Sequence, residues 1–162
     1  MGATTRLAPA DDLAIRDLVH RYADAGTHRD LDRWLSCFAD DAVWDLGRAK
    51  AEGRDAIAAL FTKAMANMAA MVQVVHNGAS VAAGDGDRGT GRWYIEERYR
   101  LADGAPGVLS AHYDDEYVCG VDGEWRFARR TLTIQYAGPP DLSAPFLNSV
   151  DGLRVAGETP SV

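Results

Sequence analysis

The hydrophobic period of this chain changes once, near residue 70, and that change constrains its fold more than any other feature. Before it, apolar residues recur every three or four positions, the spacing of a helix with one buried stripe. Ile15, Leu18, Val19, Tyr22 and Gly26 form the first stripe, and Leu31, Trp34, Leu35 and Phe38 form the second. Ile57, Leu60, Phe61, Ala64, Met65 and Met68 form the third. Asp11 or Asp12 can cap a first helix running to about residue 25, and Gly26 and Thr27 end it. A second helix is expected from Asp30 until Asp40 and Asp41 close it, then a short strand over 42–46. Gly53, Arg54 and Asp55 open the third helix.

After the change, apolar and polar residues alternate. Val72, Val74 and His76 share one face of a strand, opposite Gln73, Val75 and Asn77. Trp93, Ile95, Glu97, Tyr99 and Leu101 share another, as do Leu109, Ala111, Tyr113, Asp115 and Tyr117. Trp125, Phe127 and Arg129 alternate with Arg126, Ala128 and Arg130 in a strand reaching about Tyr136. Turns around Gly84 and Gly86, Asp103 and Gly104, and Asp122 and Gly123 separate the runs. Three helices followed by strands joined in hairpins predict an α+β fold, its helices on one side of a mostly antiparallel sheet. The expected organisation is an N-terminal extension over 1–10, one domain over 11–137 and an irregular tail over 138–162, which is rich in Pro, Ser and Gly.

Composition narrows the partners. A net charge of −7 in 162 residues leaves no basic footprint for nucleic acid or an anionic membrane. Cys37 and Cys119 show no CxxC pattern, and the N-terminus shows no charged segment leading into an apolar run, so a reduced, cytoplasmic protein is expected. The six residues from Gly84 to Gly89 match GxGxxG, but a strand follows where a dinucleotide site needs a helix. There is no GxxxxGK[ST] loop and no GxSxG elbow. His20, His28, His76 and His112 lack metal-ligand spacing, so neither metal nor cofactor is expected. Met65, Met68 and Met71 read as core or pocket wall.

The informative residues are polar ones on apolar faces. Glu97, among Trp93, Ile95 and Tyr99, would be desolvated, which suits a carboxyl to proton transfer near neutral pH. His76 beside Val72 and Val74 is the side chain best placed to exchange a proton at pH 7. Tyr22 brings a hydroxyl into the first buried stripe, and Tyr113 and Arg130 add a donor and a fixed positive charge. Each also has a plain structural reading: a satisfied core histidine, a Glu97–Arg130 ion pair, a tyrosine that only anchors packing. Asp24 falls opposite the stripe and is expected in solvent, and His112 and Asp114 are expected to meet water or a neighbouring subunit.

Several segments together resemble the SnoaL-like domains of the NTF2-like superfamily. They are residues 15–24, 30–34, 38–44 and 53–57, the strand ending in His76 and Asn77, and residues 113–117 and 122–127. The resemblance covers about residues 10–137. It implies a cone in which three N-terminal helices pack on a strongly curved sheet enclosing a pocket. The most similar branch holds the scytalone dehydratases and hexachlorocyclohexane dehydrochlorinases, cofactor-free lyases that use a His–Asp pair. His76 falls on the catalytic histidine position. Tyr22, Trp44, Tyr113 and Arg130 fall on pocket positions, and Glu97 falls near a second pocket histidine. The partner aspartate falls at Thr27, so the usual pair is broken.

The resemblance and the residues together lead to an expected lyase or isomerase that acts without a cofactor on a small, mostly apolar molecule. His76, Glu97, Tyr22 and Arg130 are its catalytic candidates. Thr27, Trp44, Phe61, Met65 and Tyr113 are its substrate contacts. Dehydration leads, isomerisation or cyclisation follows, and simple binding is the non-catalytic alternative. The resemblance also implies a homotrimer or homodimer, for which the strand faces carrying Tyr94, Arg98 and Arg100 are suited.

Overall fold

A computed structural model describes residues 6–84 and 86–147. Helix α1 spans Pro9–His28, α2 Leu31–Leu35 and α3 Arg54–Ala66. The strands are β1 Phe38–Asp45, β2 Lys50–Glu52, β3 Met68–Ala83, β4 Arg88–Leu101, β5 Pro106–Cys119 and β6 Trp125–Gly138. They form one curved, unclosed sheet in the order β2-β1-β6-β5-β4-β3. Every pairing is antiparallel except β1 with β6, so the last strand lies between the two halves of the sheet. The α+β class holds, with three helices packed on a mostly antiparallel sheet.

Helix α1 starts earlier than the acidic pair suggests. Pro9 has a fixed φ suited to the first helical turn, and Asp11 and Asp12 sit inside that turn, where the helix dipole favours negative charge. The helix runs on to His28 and stops at Arg29, which is left-handed at φ 57°. Asp30 caps α2 by accepting a hydrogen bond from the Arg33 N–H at 3.1 Å. That helix lasts only five residues. Phe38, expected on its last turn, begins β1, whose strand is longer than the one predicted, and β2 was not predicted at all. Met68, assigned to the third helical stripe, begins β3.

Helix α1 packs against β3 and β6, and α3 against β1, β2 and β3. Between helices and sheet, Ile15, Leu18, Val19, Tyr22, Trp34, Phe38, Trp44, Ile57 and Phe61 meet Trp93, Ile95, Tyr113, Tyr117 and Phe127 in one core. Aromatic rings fill much of it: Trp34 stacks on Phe61 at 4.2 Å and meets Trp44 edge-on at 5.0 Å between ring centres. Gly84 and Gly86 flank the β3–β4 turn at φ 70° and 101°, positive values that glycine adopts at no steric cost, as expected of a hairpin. Residues 139–147 follow β6 without helix or strand. The rest of the expected tail, 148–162, and residues 1–5 of the expected extension lie outside the described residues.

Candidate functional site

The inner face of the sheet carries the polar cluster. Trp93 and Ile95 are buried against the helices, and alternation puts Glu97 on their side. Directly across the β3–β4 ladder stands Gln73, whose Nε2 donates to Glu97 Oε1 at 2.6 Å. Across β4–β5 the neighbour is Leu109. Glu97 is half-buried, and loss of water pushes its pKa above the usual carboxylate value, against the opposing pull of the Gln73 hydrogen bond.

Arg130 does not pair with Glu97. It pairs with Asp115: Nε donates to Oδ1 at 2.8 Å and Nη2 to Oδ2 at 3.1 Å, with both side chains buried. Tyr117 Oη also donates to Asp115, at 3.0 Å, and itself accepts from Trp93 Nε1 at 2.9 Å. The pairing follows from a bulge. Tyr117 faces Phe127 and Glu116 faces Arg129, so Ala128 is an extra residue in β6. It shifts the alternation by one and turns Arg130 inward, beyond the reach of a strict two-residue period. Burial works against the guanidinium charge, but Asp115, together with Tyr22 and Tyr113, more than offsets it and Arg130 stays protonated. Its central carbon lies 3.9 Å from the ring centre of Tyr113, 4.1 Å from that of Phe127 and 4.2 Å from that of Tyr22.

Tyr22 and Tyr113 place their hydroxyl oxygens 3.4 Å apart. Burial pushes Tyr113 up to about 12 and raises Tyr22 strongly, so both are neutral donors at physiological pH. The nearby Glu97 charge raises both further. Trp44 is the direct neighbour of Arg130 across the parallel β1–β6 pairing. Trp44 Nε1 and Arg130 Nη1 are fully buried and have no hydrogen-bond partner among the described residues. Buried donors rarely go unpaired, and here two stand beside a pair of phenols, with Trp44 close enough to the Tyr113 hydroxyl to lower its pKa slightly against the effect of burial.

The other expected residues fall elsewhere. His76 is exposed and lies on the face of the sheet away from the helices. Val75 faces Ile95 and Gly78 faces Trp93, so His76 and Asn77 together oppose Tyr94 in a bulge. His76 there lines a hollow of about 410 Å³ with Tyr94, Glu96, Ser110 and Gln135. The strand's faces are thus reversed from the expectation: Val72 and Val74 are exposed, and Gln73 and Val75 turn toward α1. The structure does not bring His76 and Glu97 together. Thr27, half-buried, accepts the backbone N–H of Gln73 at 3.1 Å. Phe61 is buried in the aromatic core, while Met65 is half-buried at its margin. Asp24 is exposed and pairs with Arg33 and His28. His112 is not in solvent: it is 2% exposed, with Gln135 Nε2 2.5 Å from its Nδ1.

Sequence reasoning missed Asp115 and Gln73. Asp115 was readable, since it shares the face of Tyr113 and Tyr117 and a carboxylate there needs a partner. Gln73 gave no such signal, because it stood on the side that Val72 and Val74 made look polar.

Among the described residues, no group of three or more His, Cys, Asp or Glu side chains is placed to hold a metal ion, and no helix is long and apolar enough to cross a membrane. Residues 9–131 match the family model of the SnoaL-like domain, and the chain belongs to that family. A crystal structure of a candidate aromatic ring hydroxylase from Novosphingobium aromaticivorans is similar at 31% identity and a TM-score of 0.72, over 80% of this chain and 92% of that one. LinA is similar in fold at 24% identity and a TM-score of 0.72, over 78% and 87% of the two chains. So is a candidate scytalone dehydratase from N. aromaticivorans, at 21% identity and a TM-score of 0.69, over 76% and 83%. No curated protein matches.

Proposed function

We propose that this protein is a cofactor-independent lyase or isomerase that removes a proton beside an oxygen-bearing carbon of a small, mostly apolar, cyclic molecule of polyketide, steroid or terpenoid type. The observation that carries the reading is the pair of unpartnered buried donors, Trp44 Nε1 and Arg130 Nη1, beside the Tyr22 and Tyr113 hydroxyls. An oxygen held there meets N–H and O–H donors in a site shielded from water, where they stabilise negative charge developing on an enolate. Glu97, raised in pKa and close enough to act on both phenols, is the group that takes the proton. His76 has no part in this chemistry, because it opens on the other face. The proton on Glu97 then passes to a departing β-hydroxyl, which leaves as water and gives dehydration, or to another carbon, which gives isomerisation. Dehydratase and dehydrochlorinase names among the structural neighbours support the elimination.

The test is hydrogen exchange. Cyclic ketones and hydroxyketones incubated with the protein in D2O should gain deuterium at the α-carbon, followed by NMR. Glu97→Gln should slow exchange by about 10²–10⁴-fold, the usual worth of a general base. Tyr113→Phe should slow it by about 10²–10³-fold. Exchange that survives Glu97→Gln would sink this mechanism. A binding module is the second reading, favoured by the aromatic rings that fill the core and by Thr27 at the family's aspartate position. Ligand binding with no exchange in the wild-type protein would select it.

A further inference from the structure

Building on that reading of Glu97, we propose that Gln73 is a positioning residue: its side-chain amide holds one oxygen of the Glu97 carboxyl and leaves the other for the substrate, while Thr27 fixes Gln73 in turn. The geometry begins with an edge. β3 is the last strand of the sheet, so half of its backbone N–H groups have no ladder partner. That of Gln73 is accepted by Thr27 Oγ1 at 3.1 Å, which ties the strand to the last turn of α1. The Gln73 side chain then reaches across the ladder, and Nε2 donates to Glu97 Oε1 at 2.6 Å. A backbone contact to the helix and a side-chain contact to the carboxyl thus converge on one residue.

This gives position 27 a role different from the one the family resemblance implies. The resemblance puts a carboxylate there, on α1. Here a hydroxyl stands in its place, and the carboxyl comes from β4 instead. Thr27 and Gln73 form the link between the two places. An uncharged amide also suits its task. It donates to the carboxylate without neutralising it, and so favours the ionised form of a group that burial pushes the other way. The titratable groups that interact with Glu97 are Tyr22 from α1, Tyr99 on its own strand and Tyr113 from β5. Arg130 from β6 acts on the two buried phenols but is matched by Asp115.

The experiment titrates the Glu97 carboxyl directly, by carbon-13 NMR of glutamate-labelled protein without substrate, assigned with Glu97→Gln. Gln73→Met keeps the length of the side chain and removes the donor. It should raise the Glu97 midpoint by about one pH unit. Thr27→Val should raise it by less, and Thr27→Ser should restore the wild-type value. In the exchange assay, Gln73→Met should move the acid limb of the pH profile upward by the same amount. An unmoved Glu97 midpoint in both Gln73→Met and Thr27→Val overturns the inference, whatever the activity. A midpoint that moves as stated, in a protein whose exchange survives Glu97→Gln, upholds Gln73 as the partner of Glu97 and overturns the catalytic reading instead. A thermal melt of each variant shows that it is folded, and the Thr27 pair supplies the answer if Gln73→Met is not.

Discussion

In the proposed mechanism, Glu97 trades stability for chemistry. Burial favours its protonated form, so its pKa is higher in the folded chain than in the unfolded one, where it is near 4.5. The stabilising effect of that proton is complete below pH 4.5 and is lost as pH rises through the raised folded value. Above that value the folded protein carries a half-buried negative charge opposed only in part by Gln73. Glu97→Gln should therefore be more stable than the wild type at pH 8 and equal to it below about pH 4.5. Urea midpoints measured across that range check the prediction, and a wild type that is the more stable at pH 8 contradicts it. A stability gain on removing the residue proposed to take the proton is what a functional carboxyl predicts.

At the scale of the strand, one extra residue decides where a charge goes. Ala128 turns Arg130 inward, and the chain's buried ion pair depends on that turn. Deleting Ala128 should swing Arg130 to the outer face and leave Asp115 without its partner. We expect a loss of about 3–5 kcal/mol, close to that of Arg130→Met, because each leaves one buried charge alone. Guanidinium denaturation of both variants measures it, and a deletion that costs less than 1 kcal/mol would mean that the bulge can move. The same feature marks the limit of what was legible in the sequence. Glu97 could be placed because Trp93 and Ile95 leave no doubt which side of β4 is inside. Arg130 was picked out as a site residue, but a strict period of two gave it the wrong face and hid its partner. In β3 both faces carry valines, so alternation could not orient the strand, and the bulge at His76 and Asn77 gave no sign of itself. The three helices followed from their stripes, but the end of α2 did not. Phe38 completes a helical spacing and is equally suited to begin a strand.

Across the whole molecule, the first and last strands meet. β1 pairs in parallel with β6, Phe38 facing Phe127 and Trp44 facing Arg130, and this contact joins the N-terminal helices and β1–β2 to the meander of β3, β4 and β5. Phe38 has no exposed surface and touches rings from α1, α2 and β6. Phe38→Ala should cost about 3–5 kcal/mol. Fluorescence and far-ultraviolet circular dichroism should give one shared midpoint, because the two halves form one cooperative unit. Separate midpoints would mean that they unfold independently.

The order of strands also bears on how the protein is made. Among the described strands, β6 is the last to leave the ribosome and the only one that touches both β1 and β5. At a typical rate of synthesis its fourteen residues take about 1–3 s to appear. Until they do, β1 and β5 each present a bare edge to the cell, and the guanidinium that completes the cluster does not yet exist. The site therefore cannot be assembled before β6 has emerged.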